Sequence, residues 1–298
     1  MSFKIKSRLA AVVTTTIWGV SFMFSKRALN HADVFVLLAW RFALAFLLMN
    51  VIRFAMRLRF DFKGKPVGKL ILLGILQPVI YFTCENYGVK LSTATFSGIM
   101  IAMVPIASLI AGAVFLKERP TWQQAVFSVL SVAGVLLITI GPGSGLATTA
   151  GALFMIGAVI SAAAYMMLSR SISGCFTPFE RTYCMFALGS VFFILGALIE
   201  VRGSVSLLVQ PLKSAEFLYA VLFLGSLSSV VAFFCQNFYI TYLSMPESVV
   251  FSNLTTVVTI ISGVLFLHDP FTILTIPAVL MIIAGIVGVQ LSGHQKET

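Results

Sequence analysis

The stretch LGILQPVIYFTCENYG, which begins at Leu73, returns as LGSLSSVVAFFCQNFY from Leu224, so that each residue recurs 151 positions later. The same register continues to Thr121 and Thr272, and it aligns the CEN and CQN triplets inside the two stretches. Single matches between apolar segments arise by chance, but a register shared over this length does not. The sequence therefore predicts a chain built from two copies of one unit.

The duplication extends upstream with a shift of 144, where RFAL at Arg41 aligns with MFAL at Met185. The change of shift adds seven residues to the second copy, between its second and third apolar segments. A glycine-rich stretch, GPGSG at 141–145, follows the first copy. It lacks the lysine and the strand-to-helix setting of a phosphate-binding loop, so we interpret it as the link between copies. We predict two repeats, residues 1–145 and 146–298.

The composition is that of a membrane protein. Of 298 residues, 59% are hydrophobic and only 10% are charged, and the mean hydropathy is +1.03. No Asp, Glu, Lys or Arg occurs from Thr121 to Ser169 or from Phe217 to Pro246. A soluble protein could not keep apolar runs of this length out of water, which indicates helices that span a bilayer. The N-terminal stretch is basic and then apolar without a convincing cleavage site, so we predict a retained first helix.

Ten apolar segments of about the length that a bilayer requires follow one another along the chain. Each is predicted to be a helix, because an open strand in lipid leaves backbone groups without hydrogen-bond partners. Five helices per copy is an odd number, so the second copy must cross the membrane in the opposite direction. The predicted fold is therefore an all-α integral membrane protein with ten transmembrane helices in two inverted five-helix repeats. The segments are about 9–24, 34–52, 70–88, 95–116, 124–140, 150–168, 179–199, 217–239, 248–267 and 273–291.

Basic residues are unevenly distributed between the predicted loops. Six of them crowd the connection between the second and third segments: Arg53, Arg57, Arg59, Lys63, Lys65 and Lys69. With the N-terminus inside, 14 basic residues fall on the inner side and 5 on the outer side. Because inner loops are enriched in Lys and Arg, we predict a multi-pass protein of the cell membrane with both termini in the cytoplasm. Topology thus explains the net charge of +10, and no nucleic-acid partner is expected.

Sequence signals of catalysis and of metal binding are missing. There is no His-Glu-x-x-His motif, nucleophile elbow, P-loop or dinucleotide fingerprint, and the three histidines fall at predicted helix ends. The four cysteines, Cys84, Cys175, Cys184 and Cys235, have no metal-ligand spacing, and we interpret them as packing residues. We therefore expect no enzyme activity, no cofactor and no bound metal.

Polar side chains line one face of the third segment, where Gln77, Tyr81 and Glu85 are four residues apart. The eighth segment, its counterpart, carries Ser228 and Gln236. Polar groups in lipid cost free energy, so these faces should be hidden in protein or in a water-filled cavity. They could simply join neighbouring helices. For the set as a whole we favour a substrate cavity lined by Trp18, Ser21, Gln77, Tyr81, Glu85, Tyr165, Ser228, Gln236 and Asn253.

Two ionisable side chains lie inside predicted helices, Arg41 in the second and Glu85 in the third. One interpretation is structural, with Arg41 snorkelling to the surface or paired with Glu85 on the outer side of the membrane. The other gives the two residues a role in gating or in binding a cation or proton. Pro78 and Pro105 each remove a helical hydrogen bond, and we predict a hinge at each.

Short motifs at the helix positions resemble a known family, the EamA-type branch of the drug/metabolite transporter superfamily. The residues that carry the resemblance are Trp18-Gly19, Arg41-Phe42, Pro105 and Lys117-Glu118, the last repeated as His268-Asp269. The second copy departs from the pattern, with Ala162 in place of Trp18 and Thr256 in place of Pro105. The resemblance implies a permease, commonly an exporter of amino acids or related metabolites. It also implies a cavity between helices one to four and six to nine.

The functional prediction is a permease or exporter that moves a small, amino-acid-like metabolite by alternating access through a central cavity. A channel-like facilitator is the first alternative. A membrane-embedded enzyme is the second, but it would need a cluster of His, Asp or Glu near one membrane face, and the sequence offers only scattered ones. The expected partners are a small-molecule substrate and the lipid bilayer. The sequence leaves the substrate, the direction of transport, proton coupling and the oligomeric state open.

Overall fold

The computed structural model describes residues 3–91, 100–101, 103–117, 120–139, 149–262, 265 and 275–294. Within these ranges every regular element is a helix, which confirms the all-α prediction. The middle pieces of the third and eighth helices and the end of the fourth are π-helical. The helices are α1 (Phe3–Leu29), α2 (Val34–Ala55), α3 (Val67–Gly74, Ile75–Ile80 and Tyr81–Leu91), α4 (Val104–Ala111 and Gly112–Leu116), α5 (Trp122–Thr139), α6 (Thr149–Ser171), α7 (Pro178–Glu200), α8 (Ala215–Leu222, Phe223–Val231 and Ala232–Tyr242), α9 (Met245–Val250 and Ser252–Ser262) and α10 (Thr275–His294).

The described helices have the length and surface of membrane-spanning elements. Six of them, α1, α2, α3, α6, α7 and α8, are long and apolar enough to cross a bilayer, and α4 and α10 contain shorter apolar stretches. Large apolar side chains project outward, among them Ile160 and Leu280, both 62% exposed, and Leu195, 56% exposed. In a water-soluble protein this much exposed apolar surface would be a liability. Here it is the surface that meets the lipid chains.

Some helix ends differ from the sequence prediction. α9 begins at Met245, earlier than predicted, because Ser244 and Glu247 form a capping box that satisfies its first backbone amides. Phe251 forms a turn between the two pieces of α9. Two predicted boundaries lie outside the described residues: the start of the fourth segment, within 92–99, and the end of the ninth, at 266–267.

The seven extra residues of the second copy correspond to a short connecting helix between α7 and α8. It consists of Val205–Val209 followed by a 3₁₀ turn at Gln210–Lys213. The indole Nε1 of Trp40 donates a hydrogen bond of 2.9 Å to the carbonyl oxygen of Leu208. This contact ties the connecting helix to the start of α2.

Close packing joins equivalent helices of the two copies. α5 packs along α10, and α2 packs along α7. A Cβ atom added at Gly134 of α5 would lie 2.7 Å from the carbonyl oxygen of Ala278. One added at Gly285 of α10 would lie 2.6 Å from that of Phe127. Since real Cβ atoms do not approach carbonyl oxygens this closely, only glycine fits at either position.

Candidate functional site

Helix α3 is broken where the sequence placed a hinge. Gln77 has non-helical dihedral angles (φ −142°, ψ 121°), the Gln77–Pro78 peptide bond is cis, and both residues are buried. Gly189 of α7 lies against this break, since a Cβ added there would be 2.5 Å from Cγ of Pro78. Pro105, the other predicted hinge, is the second residue of α4 as described, a position where proline costs little.

Helix α8 has a corresponding irregular stretch, Phe223–Val231, although it contains no proline. A π-helical stretch leaves backbone carbonyls out of the regular ladder, and side chains can take them as acceptors. Trp18 Nε1 donates to the carbonyl oxygen of Ser228 at 3.1 Å, and Thr14 Oγ1 donates to that of Ala232 at 3.2 Å. Helix α1 is thereby fastened to the irregular part of α8.

The first copy shows the same kind of contact with the roles exchanged. Ser161 Oγ of α6 donates a hydrogen bond of 2.6 Å to the carbonyl oxygen of Leu76, inside the irregular part of α3. Leu76 aligns with Leu227, the residue before Ser228. The first helix of each copy therefore donates a hydrogen bond to the irregular part of the third helix of the other copy.

Arg41 lies buried beside the irregular part of α8. Its Nε donates to Ser229 Oγ at 3.0 Å and its Nη2 donates to Ser228 Oγ at 3.1 Å. The guanidinium carbon stands 4.7 Å from the centre of the Phe82 ring, a cation–π geometry. Arg41 is only 5% exposed, and no carboxylate lies within 4.0 Å of it in the described part of the chain. Arg41 is thus a buried cation whose hydrogen bonds go to neutral hydroxyl groups.

Glu85 faces Arg41 from α3. Its Oε1 accepts a hydrogen bond of 3.0 Å from the hydroxyl of Tyr81, one turn earlier. Glu85 and Arg41 are near enough to attract each other electrostatically, but the direct ion pair that the sequence suggested is not formed at 4.0 Å or less. The structure therefore brings the two charges into one group and leaves each hydrogen-bonded to other side chains.

Aromatic rings enclose this charged group. Trp18 meets Phe233 edge to face with ring centroids 5.2 Å apart, and Phe82 lies 6.3 Å from Phe233 and 5.4 Å from Phe42. Phe82, Phe233 and Ser229 were not predicted as site residues. Phe is abundant in the chain, with 27 copies, so no single Phe could be singled out. The adjacent serines at 228 and 229 were a usable signal for Ser229.

Gln236 is the counterpart of Glu85 in the second copy, 151 residues later. Its side chain is 5% exposed, and its buried Oε1 atom has no hydrogen-bond partner in the part of the chain that the structure describes. A buried amide oxygen left unpaired costs free energy, which makes this atom an acceptor available to a bound molecule. Gln77, the counterpart of Ser228, is likewise buried, at 6% exposure.

Three other predicted cavity residues make their contacts elsewhere. Tyr165 donates to Asn237 Oδ1 at 3.0 Å, within a buried network. Asn253 donates to Ser131 Oγ of α5 at 2.9 Å. Ser21 donates to the carbonyl oxygen of Trp18, one turn earlier in its own helix, at 2.8 Å. The structure thus groups Trp18, Arg41, Tyr81, Glu85 and Ser228, and it gives Tyr165, Ser21 and Asn253 interhelical or local partners.

The network around Tyr165 is centred on Arg181, which is fully buried at the start of α7. Arg181 Nη1 donates to the carbonyl oxygen of Ser169 at 2.8 Å, and Nη2 donates to that of Asn237 at 2.6 Å. Asn237 also donates to Thr182 Oγ1 at 3.0 Å. These bonds join α6, α7 and α8, so we interpret Arg181 as a structural link between the three helices.

The group formed by Arg41, Glu85, Tyr81 and the surrounding rings has the chemistry to bind a charged molecule. A guanidinium offers paired donors to a carboxylate, Glu85 and Tyr81 offer acceptors to an ammonium group, and the rings offer an apolar wall. In the ranges that the structure describes, no three His, Cys, Asp or Glu side chains are grouped as a metal site.

Comparison with known proteins identifies relatives of the chain. The model of the EamA-like transporter family matches residues 5–140 and again residues 149–291. An uncharacterized transporter of Bacillus subtilis, YcxC, is 32% identical over 97% of this chain and 94% of its own length. A probable terminal-alkyne amino-acid exporter of Streptantibioticus cattleyicolor is 24% identical over 95% of this chain and 91% of its own. A solved structure titled only as the crystal structure of a protein shares the fold, with a TM-score of 0.80, 16% identity, and coverage of 98% and 99% of the two chains.

Proposed function

The chain belongs to the EamA-like transporter family, and on this basis we propose that it exports a small, amino-acid-like metabolite by alternating access. The family and the apolar helices support a multi-pass membrane transporter rather than an enzyme. The amino-acid-like substrate and the outward direction are suggested by the name of the Streptantibioticus relative and by the chemistry of the site.

The proposed architecture is ten transmembrane helices in two inverted repeats, residues 1–145 and 146–298. The helix contacts support it, because they keep the same pattern when the copies are exchanged: α1 packs on α8 and α9, and α6 packs on α3 and α4. A Cβ added at Gly74 would meet Leu188 Cδ1 at 2.5 Å, and one added at Gly225 would meet Leu44 Cδ2 at 2.8 Å. These two contacts are equivalent under the sequence alignment of the copies.

The observation that carries the proposed function is the buried Arg41. A charged side chain inside a membrane is costly unless it is paired, and in the described part of the chain Arg41 has two hydroxyl acceptors, two aromatic rings and the charge of Glu85, which lies beyond ion-pair distance. A carboxylate of the substrate would complete the guanidinium's bonding, and Gln236 Oε1 is a further free acceptor. Glu85 would balance an ammonium group, or a proton, on the same molecule.

Alternating access requires contacts that close one end while the other opens. At the end that holds the N-terminus, Arg8 Nη2 lies 3.3 Å from Glu247 Oε1 and joins α1 to α9. At the opposite end, His31 Nε2 lies 2.9 Å from Glu216 Oε2 and joins the end of α1 to α8. We propose that these two contacts break in turn, with the helix break at Gln77–Pro78 and the π-helical stretch of α8 as hinges.

The proposed orientation puts both termini and the connection between α2 and α3 in the cytoplasm. The uneven distribution of basic residues supports it. A Cβ atom added at Gly64 would have no heavy atom within 4 Å, so a cysteine introduced with Gly64→Cys is open to reagents, although the left-handed backbone there (φ 73°) strains any side chain. Membrane-impermeant thiol reagents should label it only from the cytoplasmic side, and labelling from outside would contradict the orientation.

The test of the function is transport by the full-length protein in liposomes. Cells with and without the protein are first screened for release of small metabolites, and the compound with the largest difference is loaded into proteoliposomes. The proposal predicts saturable counterflow, in which unlabelled compound inside accelerates uptake of labelled compound. A flux that rises linearly with concentration and shows no counterflow would favour the channel-like alternative. No flux of any released compound would contradict the proposal.

A further inference from the structure

The connection between α2 and α3, residues 56–66, is an ordered segment packed on the start of α7. The ring of Phe60 lies 4.7 Å from that of Tyr183, and the ring of Phe62 lies 6.4 Å from that of Phe176. Lys65 Nζ lies 3.4 Å from Glu180 Oε1. We name residues 56–66 the basic connection. Because its aromatic side chains are held against α7, its basic side chains keep a defined arrangement on the surface.

Only part of the positive charge in this region has a partner inside the protein. Arg53, at the end of α2, stands over the Phe60 ring at 4.6 Å. Arg57, Arg59 and Lys63 are exposed, and among the described residues no carboxylate lies within 4.0 Å of them. The carboxylate of Asp61 accepts a hydrogen bond of 3.1 Å from the backbone amide of Lys63. Three cations are thus left facing outward from a folded segment.

The backbone holds the first of these cations next to the end of α2. Arg57 has a left-handed conformation (φ 52°), and the amide of Leu58 donates to the carbonyl oxygen of Arg53 at 2.9 Å. This geometry closes the helix in the way that a C-terminal cap does. The backbone at Arg57 is therefore fixed at the end of the apolar helix, and the exposed cation extends from that point.

Exposed apolar side chains stand directly beside the unpaired cations. Phe54 is 73% exposed and Met56 is 66% exposed, both at the end of α2. In water these side chains would be unfavourable, but at a membrane surface they can enter the acyl region while neighbouring basic groups stay among the headgroups. Exposed apolar and basic side chains on one segment are the composition of an interfacial lipid contact.

We propose that the basic connection binds anionic phospholipid, with the headgroup phosphate held by Arg57, Arg59 and Lys63 and the acyl chains beside Phe54 and Met56. The basic side chains attract the negatively charged headgroup, and the exposed apolar side chains enter the acyl region of the bilayer. Because Lys65 links the segment to Glu180, a bound lipid also steadies the contact between α2 and α7. The positive charge sets membrane orientation as well, but that role ends at insertion, whereas lipid binding persists in the purified protein.

The test uses purified full-length protein in detergent, mixed with equal amounts of phosphatidylglycerol and phosphatidylcholine, and native mass spectrometry to count the retained lipids. The test variant is Arg57→Gln with Arg59→Gln and Lys63→Gln. Its control is Arg202→Gln with Lys213→Gln, at the opposite end of the molecule. Arg202 is a matched residue, since it is also exposed, follows α7, and has a left-handed conformation (φ 51°). Circular dichroism and gel filtration establish that each variant is folded.

The proposal predicts that wild type and the control variant retain phosphatidylglycerol in preference to phosphatidylcholine, and that the triple variant loses this preference by about tenfold or more. In wild type the preference should also fall as ionic strength rises from about 0.1 to 1 M, a result that does not depend on a variant folding. Equal retention of both lipids by wild type would overturn the proposal. So would an undiminished preference in the triple variant, an equal loss in the control, or displacement of the lipid by millimolar inorganic phosphate.

Discussion

Trp18 of the first copy donates its indole hydrogen to the carbonyl oxygen of Ser228 in the second copy, at 3.1 Å. The contact joins a helix to the irregular part of another helix, where the backbone has an acceptor to offer. Arg41 contacts the same residue, because its Nη2 donates a hydrogen bond to the hydroxyl of Ser228. Ser228 therefore connects the irregular part of α8 to the buried charge.

Loss of this indole hydrogen bond should slow transport more than it destabilises the protein. Trp18→Phe keeps an aromatic ring against Phe233 and removes the donor, which costs about 0.5–1.5 kcal/mol of folding free energy. We expect a small decrease in thermal stability and a transport rate lowered by about fivefold or more, because the irregular part of α8 is no longer held. Counterflow in proteoliposomes and a thermal melt measure the two effects.

The matched control for this prediction is Trp122→Phe. Trp122 is 82% exposed at the start of α5 and lies away from the site. Its replacement should leave the transport rate within about twofold of wild type and the free energy of unfolding within about 0.5 kcal/mol. A Trp18→Phe variant that transports as fast as the Trp122→Phe control would rule out a role for the indole hydrogen bond.

Replacement of Gln236 should separate binding from stability. Gln236→Met has a similar volume and removes a buried amide, whose oxygen has no partner among the described residues but which is hydrogen-bonded to Tyr239. The two effects oppose each other, so the free energy of unfolding should change by no more than about 1 kcal/mol. If the oxygen binds substrate, the concentration for half-maximal transport should rise about fivefold to tenfold. The control is Gln123→Met, at an exposed position of α5. An unchanged half-maximal concentration would show that the oxygen does not meet the substrate.

Arg41 and Glu85 should be energetically coupled even though they form no direct ion pair. Each of Arg41→Met and Glu85→Gln leaves the other charge in a low-dielectric setting, and the double variant leaves neither. We expect the double variant to be more stable than the sum of the two single losses by about 0.5–3 kcal/mol. The yield of folded protein and its melting temperature give the cycle. Strictly additive losses would mean that the two side chains do not interact.

The contact between α5 and α10 predicts equal sensitivity at two distant positions. Gly134→Ala and Gly285→Ala each place a methyl group against a carbonyl oxygen of the opposite helix, which should cost about 1–3 kcal/mol. Gly68→Ala, at the open start of α3 with no neighbour within 4 Å, should be neutral or stabilising by about 0.4–1 kcal/mol. Thermal melts compare all three. A loss at only one of the two packed glycines would weaken the argument for equivalent repeats.

The sequence predicted the membrane-spanning helices and the family because apolar length and short motifs are local properties. The sequence predicted a hinge at Pro78, and the structure has a helix break at that position. The π-helical stretch of α8 was not predicted, since Ser228 and Ser229 lie there and neither residue disturbs a helix by itself. The partners of Arg41 were also missed. Charge complementarity favoured Glu85, whereas the folded protein supplies two closer hydroxyl acceptors from a helix 187 residues away. Periodicity gives the face of a helix, but not which helix that face meets.

The claim that Arg41 binds the carboxylate of the substrate is tested most directly by comparing the transported amino acid with its uncharged primary amide in proteoliposomes. Wild type and the control Arg202→Gln, at an exposed position after α7, should prefer the acid by about tenfold or more, because a charged hydrogen bond contributes more than a neutral one. Arg41→Met, if folded, should transport both compounds equally poorly, and Arg41→Lys should recover part of the preference. Undiminished discrimination in folded Arg41→Met would contradict the assignment of Arg41 to the substrate.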